Sequence, residues 1–300
     1  MRKAFIIALS LLLSGCSAIA PVSSYTISPN DVRAISLSEK GSFSVSRVVV
    51  LANGVGEIMK SLNASSILVG RDISSTGAGQ EDIPIVTSGH QVLPEKVIAL
   101  QPDLVIVDAS TGPQTALNQI RSTGIKVVQT PESWTLADIA KKVRAVGVAI
   151  GAQSQAELLV TKIERALSQI KLSAKPRVAF LYLRGTSSIY LIGGPGSGAD
   201  SMVQSIGAID IGARSLSRPF NTLTAESLAL LDPDVLLVMT KGLESVGGVN
   251  GLIKLPGVAQ TKAGKNRAII DVDDSLLLSF GPRTPSLVEA LAQALKEVAP

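Results

Sequence analysis

Short apolar, β-branched runs recur along this chain, separated by segments whose apolar positions follow a helical period. The first is Arg47-Val-Val-Val-Leu51, a continuous run of the kind buried on both faces of a parallel sheet. Asn53-Gly-Val-Gly56 turns the chain into a helix over 57–62, and 67–69 reads as a second strand. The pattern then predicts helix 93–100, strand 104–107, helix 114–122 and strand 126–129. After a long helical stretch it resumes with strands 177–183 and 188–192, helix 200–206, helix 224–231, strand 235–239, strand 268–272 and a closing helix over 286–298. Gly193-Gly-Pro-Gly-Ser-Gly198 and Gly247-Gly-Val-Asn-Gly251 read as loops. Strands alternating with helices of about ten residues predict an α/β fold with parallel sheets.

The two halves share a plan. Aligning Pro102 with Pro233 pairs Glu95 with Glu226, Leu100 with Leu231, Asp103 with Asp234 and Val107 with Val238. Asp103 and Asp234 each follow a proline and read as punctuation between helix and strand. Between the halves, 136–170 is helical in pattern and broken at Gly147 and Gly151. Its second part, from Ala152, carries Ala156, Leu159, Val160, Ile163, Ala166, Leu167 and Ile170 at three-and-four spacing, which suits a stiff connector. The expected organisation is a first α/β lobe over 46–151, a connecting helix over 152–172 and a second lobe over 173–300, with something bound between.

The start is not part of that fold. Arg2 and Lys3 precede an apolar run over 4–13, which has the form of an export signal and is too short to span a bilayer, where about 20 residues are needed. Leu13-Ser-Gly-Cys16 looks like a bacterial lipobox, implying a signal over 1–15, cleavage before Cys16 and lipidation of its sulfur. Residues 16–45, rich in Ser, Pro and Ala, read as a lipid-anchored tether and lead-in. Cys16 is the only cysteine, so the fold has no intramolecular disulfide.

Charge adds little beyond this. The net +4 falls to 26 basic against 24 acidic side chains once Arg2 and Lys3 are removed. There is no basic block interleaved with aromatics, which argues against nucleic acid as a partner. Catalytic parts are scarce. The glycine-rich 193–198 loop lacks the Gly-Lys-Ser/Thr ending of a phosphate-binding loop, and no Gly-x-Ser-x-Gly elbow occurs. With one histidine and one cysteine, a zinc site has too few ligands. The chain is therefore read as a binding protein, not an enzyme.

Three features fall at or after predicted strand ends, where open α/β sheets bind ligands. These are His90, the only histidine, the 110–113 loop, and Tyr182-Leu-Arg184. Side chains two apart on a strand share a face, so Tyr182 and Arg184 point the same way. A ferric ion and a guanidinium both favour the ionised form of a phenol, and haem iron accepts His and Tyr as axial ligands. Equally, Tyr182 suits an edge of the core and His90 a solvated loop. Composition and spacing do not decide between these readings.

With these residues in place, the chain resembles the haem-binding substrate-binding proteins of bacterial ABC importers, the HmuT type, over about 46–298. The broad marks are Leu100-Gln-Pro-Asp-Leu-Val-Ile-Val107, Gly124-Ile-Lys-Val-Val128, the 144–151 approach to the connector and the 226–238 segment. Siderophore and cobalamin binders share these. The narrower marks are Gly242-Leu-Glu-Ser-Val-Gly-Gly-Val-Asn-Gly-Leu252, Leu255-Pro-Gly257 and Phe280-Gly-Pro-Arg283. The resemblance implies two Rossmann-like lobes bridged by one long helix, with little lobe movement. It further implies ferric haem b as transported ligand, held by His90 and Tyr182 with Arg184 supporting Tyr182, while Tyr190 is a competing tyrosine. Many Gram-negative relatives carry a tyrosine where this chain has His90, whereas lipid-anchored Gram-positive relatives use the histidine and tyrosine pair. Arg71 and Arg283 are expected as propionate contacts, and Glu95 and Glu226 as docking points for the permease dimer. Implied partners are that permease with its ATPase and a surface haem donor, and the implied location is the outer face of the membrane. An Fe-siderophore or corrinoid cargo is the alternative, and a Rossmann-like exported enzyme a remoter one.

Overall fold

The structure is a computed structural model that describes residues 24–39, 41–73, 75, 80–170, 175–185 and 190–299. The expected signal and Cys16 lie outside the described residues. The described chain opens with β1 (Ser24–Ile27) and then builds one sheet from β2 (Val48–Val50), β3 (Leu68–Arg71), β6 (Leu104–Val107) and β7 (Lys126–Gln129). All pairs are parallel, in the order β3-β2-β6-β7. Between β3 and β6 stands a small antiparallel hairpin, β4 (Thr87–Ser88) and β5 (Gln91–Val92). Helices α1 (Val55–Ser61), α2 (Pro94–Ala99) and α3 (Gln114–Ser122) accompany this sheet.

Two helices, α4 (Asp138–Ile150) and α5 (Gln153–Ser168), lead on to the second half. It contains β8 (Arg177–Tyr182), β9 (Tyr190–Gly193), α6 (Ala199–Ser205), β10 (Ile209–Asp210), α7 (Ile211–Ser215), β11 (Phe220–Leu223), α8 (Ala225–Leu231) and β12 (Val235–Met239). These are followed by α9 (Thr240–Ser245), α10 (Gly248–Leu252), α11 (Lys262–Asn266), β13 (Ile269–Val272), α12 (Asp274–Leu277) and α13 (Thr284–Val298). The second sheet runs β1-β13-β12-β8-β9-β11, with β10 also on β8.

Period two along each strand explains the layering. Val48, Val50, Leu104 and Ile106 face one core and Val49, Leu51, Val105 and Val107 the opposite one. In the second sheet Val178, Phe180, Val235, Leu237 and Ile270 join the same inner core as Val48, while Ala179, Leu181, Leu236, Val238 and Ile269 face outward to helices. Strands buried on both faces read as continuous apolar runs, as they do here. One core therefore runs through both halves, and each fully buried Leu or Ile in it contributes about 1.5–3 kcal/mol.

The repeat detected in the sequence is geometric. Asp103 accepts from the backbone N–H of Arg47 at 2.9 Å, and the Arg47 side chain donates to the Leu100 carbonyl at 2.7 Å. Asp234 accepts from the N–H of Arg177 at 2.9 Å, and Arg177 donates to the Leu231 carbonyl at 2.7 Å. Each aspartate pins the start of a neighbouring strand.

Four expectations need correction. Residues 24–27 are not tether: β1 pairs in parallel with β13, Ser24 opposite Ile269, and adds an edge strand to the second sheet. The lead-in beyond it is also fixed, with Ile35 N–H bonded to Pro282 O, Leu37 N–H to Ser61 O and Ser44 N–H to Ile150 O. The second sheet is mixed, because the short connection from β8 to β9 cannot make the crossover of a dozen residues that parallel pairing needs. The glycine-rich 247–251 segment is mostly helix, α10. Finally, the helical stretch between the sheets breaks once, at Gly151 between α4 and α5, and not also at Gly147. Gly151 ends α4 at φ +78°, where a Cβ would lie 2.6 Å from Ser44 Oγ. Gly147 does not break α4; it lets α5 approach so closely that a Cβ there would meet Ala156 Cβ at 2.4 Å.

Candidate functional site

The carboxyl ends of the first sheet's strands open onto two adjoining cavities. One, of about 200 Å³, is lined by residues that follow β2, β3 and β6, including Asn53, Asp72, Asp108 and Thr111, and by Gly89 and His90. The other, of about 130 Å³, shares Asn53, Asp108 and Ser110 and adds Thr130, Trp134, Lys142 and, from the second half, Leu278. This is the crevice outside strand ends where α/β sheets take ligands.

His90 stands in the β4–β5 turn beside Gly89, which adopts φ +54°. The hairpin is tied to the loop after β6, since Val92 N–H bonds to Gly112 O at 2.9 Å. His90 is exposed at the cavity edge. Asp108 organises the same loop. One of its oxygens accepts from Asn53 N–H at 2.9 Å, and the other from Ser110 N–H, Ser110 Oγ and Thr111 Oγ1.

Tyr182 ends β8 in the second half and is partly buried. Its ring packs edge-on against Phe220, with centroids 5.9 Å apart. The Arg184 guanidinium carbon lies 5.6 Å from the Tyr182 ring centroid, within the range of a cation–π contact. The two-residue spacing thus sets Arg184 over the face of the Tyr182 ring. Tyr182 is not among the residues lining the two cavities that His90 and Leu278 border.

Arg71 and Arg283 are placed differently from expectation. Arg71 is 8% exposed, and its guanidinium donates to the carbonyls of Gln80, Asp72 and Ser75. It ties together the backbones of Asp72, Ser75 and Gln80. Arg283 forms a buried ion pair with Glu57 at 2.5 Å, and its N–H bonds to the other Glu57 oxygen at 2.6 Å. Neither residue lines the two cavities, and both guanidinium groups are engaged within the fold. Glu95 and Glu226 are both exposed in the first turns of α2 and α8, one in each half.

Sequence reasoning missed Asn53, Asp108 and Lys142. Asp108 directly follows β6, so the strand-end rule would have flagged it. Lys142 falls on the apolar stripe of α4 made by Ile139, Val143, Val146 and Ile150, a position where a lysine is out of place. Its Nζ donates to Ser279 O at 2.7 Å and Asn53 O at 3.3 Å. Burial pushes its ammonium down to about 8, against the opposing pull of Glu57 and Asp108.

A family model described as "Periplasmic binding protein" matches residues 48–276. The chain belongs to that family. Among solved structures similar to it is the periplasmic heme-binding protein RhuT from Roseiflexus sp. RS-1 in apo form. That protein is 35% identical, with a TM-score of 0.79 over 87% of this chain and 100% of that one. The periplasmic heme-binding protein HutB of Vibrio cholerae is 26% identical, with a TM-score of 0.75 over 83% of this chain and 98% of that one. An uncharacterized ABC transporter substrate-binding lipoprotein of Bacillus subtilis (strain 168), YvrC, is 28% identical over 209 residues. That match takes in 67% of this chain and 64% of the relative's length. The paired α/β lobes and the cavities at strand ends are thus those of a periplasmic binding protein.

Proposed function

We propose that this periplasmic binding protein is a lipid-anchored haem receptor that captures ferric haem between its lobes and passes it to an ABC permease and its ATPase. His90 supplies one axial ligand from the first lobe. Tyr182 supplies the other from the second, with Arg184 favouring its phenolate. Glu95 and Glu226 dock on the permease. The observation that carries this reading is the Arg184 guanidinium set over the Tyr182 ring at the end of β8. Likeness to solved heme-binding proteins supports the cargo, and likeness to an ABC transporter substrate-binding lipoprotein supports the anchor and the transporter.

Titration of the purified chain with hemin, followed in the Soret region, tests the proposal. Saturable binding is expected, and His90→Ala and Tyr182→Ala should each shift the band and weaken binding at least about tenfold, a loss of ~1.4 kcal/mol. Absence of a saturable haem spectrum in the wild type would refute the cargo and favour a siderophore or corrinoid. An unchanged spectrum in both variants would leave the cargo standing and remove the ligand assignment.

A further inference from the structure

Ser24, where the described chain enters, and the loop that reaches the ligand cavities stand at opposite ends of the second sheet. Strands β1, β13, β12 and β8 are parallel and in line: Ser24 lies opposite Ile269, Ile269 opposite Leu236, and Leu236 opposite Ala179. Their carboxyl ends lead to Tyr182, Lys241 and the 273–283 loop that carries Leu278 to the cavity. Their amino ends, where Ser24 enters, form the far side.

That far side is basic. Lys175 and Arg177 precede and start β8, and Lys175 lines a recess of about 390 Å³ with Arg214. Lys262, on α11, reaches Asp234 at 3.4 Å beside the start of β12. Lys265 and Arg267 lead into β13. Five of these six are exposed, and Arg267 is partly buried. Lys262 pairs with Asp232 and Asp234, and the buried Asp210 lines the same recess as Lys175 and Arg214. Helix dipoles account for Lys265 and Arg214 in last turns. They do not account for Lys262, which stands in the first turn of its helix, nor for Lys175, Arg177 or Arg267. In a mature chain of balanced charge, this is a local concentration.

Seven residues, 17–23, separate Cys16 from Ser24. Fully extended, that stretch reaches at most about 28 Å, so a lipid on Cys16 keeps the amino ends of the second sheet near the bilayer. We propose that the basic amino-end face of the second lobe rests on the anionic lipid surface, leaving the ligand cavities facing away from the membrane. Polybasic surfaces beside an anchor gain affinity from anionic headgroups, and salt screens it. Cargo is then collected with the mouth outward, and docking on a permease requires the protein to tip on its short tether. This rests on the anchor at Cys16 and is independent of the cargo.

The lipidated full chain, reconstituted in vesicles, tests it. Asn266→Cys labels the amino-end face and Lys241→Cys the cavity end, and energy transfer to a headgroup acceptor reports the height of each. Labelling of the wild-type chain is the control, because a lipid-bound Cys16 sulfur takes no dye; a wild type that labels removes the anchor and the proposal with it. On phosphatidylcholine vesicles containing phosphatidylglycerol, transfer from position 266 should exceed that from 241. The excess should shrink at high salt, on phosphatidylcholine alone, and in a Lys262→Glu, Lys265→Glu double variant. Equal or reversed transfer overturns the orientation. An excess indifferent to lipid charge, salt and the double variant means that the tether alone sets the height, and it overturns the lipid-binding face.

Discussion

Arg283 shows how little a cation's sequence context says about its task. Read beside Phe280-Gly-Pro, it looked like a surface guanidinium available to a ligand carboxylate. In the fold it closes on Glu57, 226 positions away, at a depth where Glu57 is 8% exposed. Removing one partner of a buried pair strands the other, at a cost of about 3–5 kcal/mol. Arg283→Met should therefore lower the urea midpoint by that equivalent, while hemin affinity measured well below the midpoint stays close to wild type. A variant of unchanged stability that has lost hemin would restore the propionate role and contradict the ion-pair reading. Arg71 was illegible for the same reason, since its partners are the backbone carbonyls of Asp72, Ser75 and Gln80, which come together only in the folded chain. The turn position of His90 and the stacking of Arg184 on Tyr182 were legible because strand-end placement and a two-residue spacing are local properties, and local properties survive folding.

At the level of elements, period two along strands and three-and-four spacing along helices located β6, α3, β7 and β12 to the residue. What failed were elements without a periodic apolar pattern of their own, β1, β11 and the glycine-rich α10. β1 has no apolar run of its own and becomes a strand because β13 offers an open edge. β11, which supplies Phe220 to the Tyr182 ring, is likewise defined by its antiparallel neighbour β9. Gly147 was misjudged by propensity, which marks glycine as a helix breaker. Here it is the contact point between α4 and α5, and the two effects predict opposite signs for Gly147→Ala. Propensity favours alanine by about 1 kcal/mol. A Cβ placed 2.4 Å from Ala156 Cβ forces the helices apart, and overpacking costs typically 1–3 kcal/mol. Packing wins, so Gly147→Ala should lower Tm, and Gly147→Ala with Ala156→Gly should recover most of the loss. A Tm raised by the single variant would show that the helix pair gives way freely.

The whole molecule is held as one piece by features that cross between its halves. The inner faces of both sheets share a core. Glu57 on α1 meets Arg283 at the start of α13, Asn53 Nδ2 bonds to Leu278 O, and Lys142 joins the Asn53 and Ser279 carbonyls. Lys142 is 5% exposed, with no carboxylate in ion-pair range among the described residues. Its charge is thus kept in a dry joint by two carbonyls and the more distant fields of Glu57 and Asp108. The folded ammonium releases its proton near 8, whereas a lysine in the unfolded chain does so at about 10.5. Below about pH 8 both states hold the proton and the folded one bears the full cost of burying it. Between about 8 and 10.5 the unfolded state binds the extra proton, so the site's contribution to stability rises with pH. The gap corresponds to ~3 kcal/mol when complete. Lys142→Gln has no such proton, so the stability difference, wild type minus variant, should grow by up to that amount from pH 7.5 to 10. Parallel pH profiles for the two chains would mean that the ammonium is hydrated and that the joint is open to water. The same result would connect the joint to the cargo, because Lys142 also borders the smaller cavity, and a ligand that dried that cavity would deepen the burial of the charge.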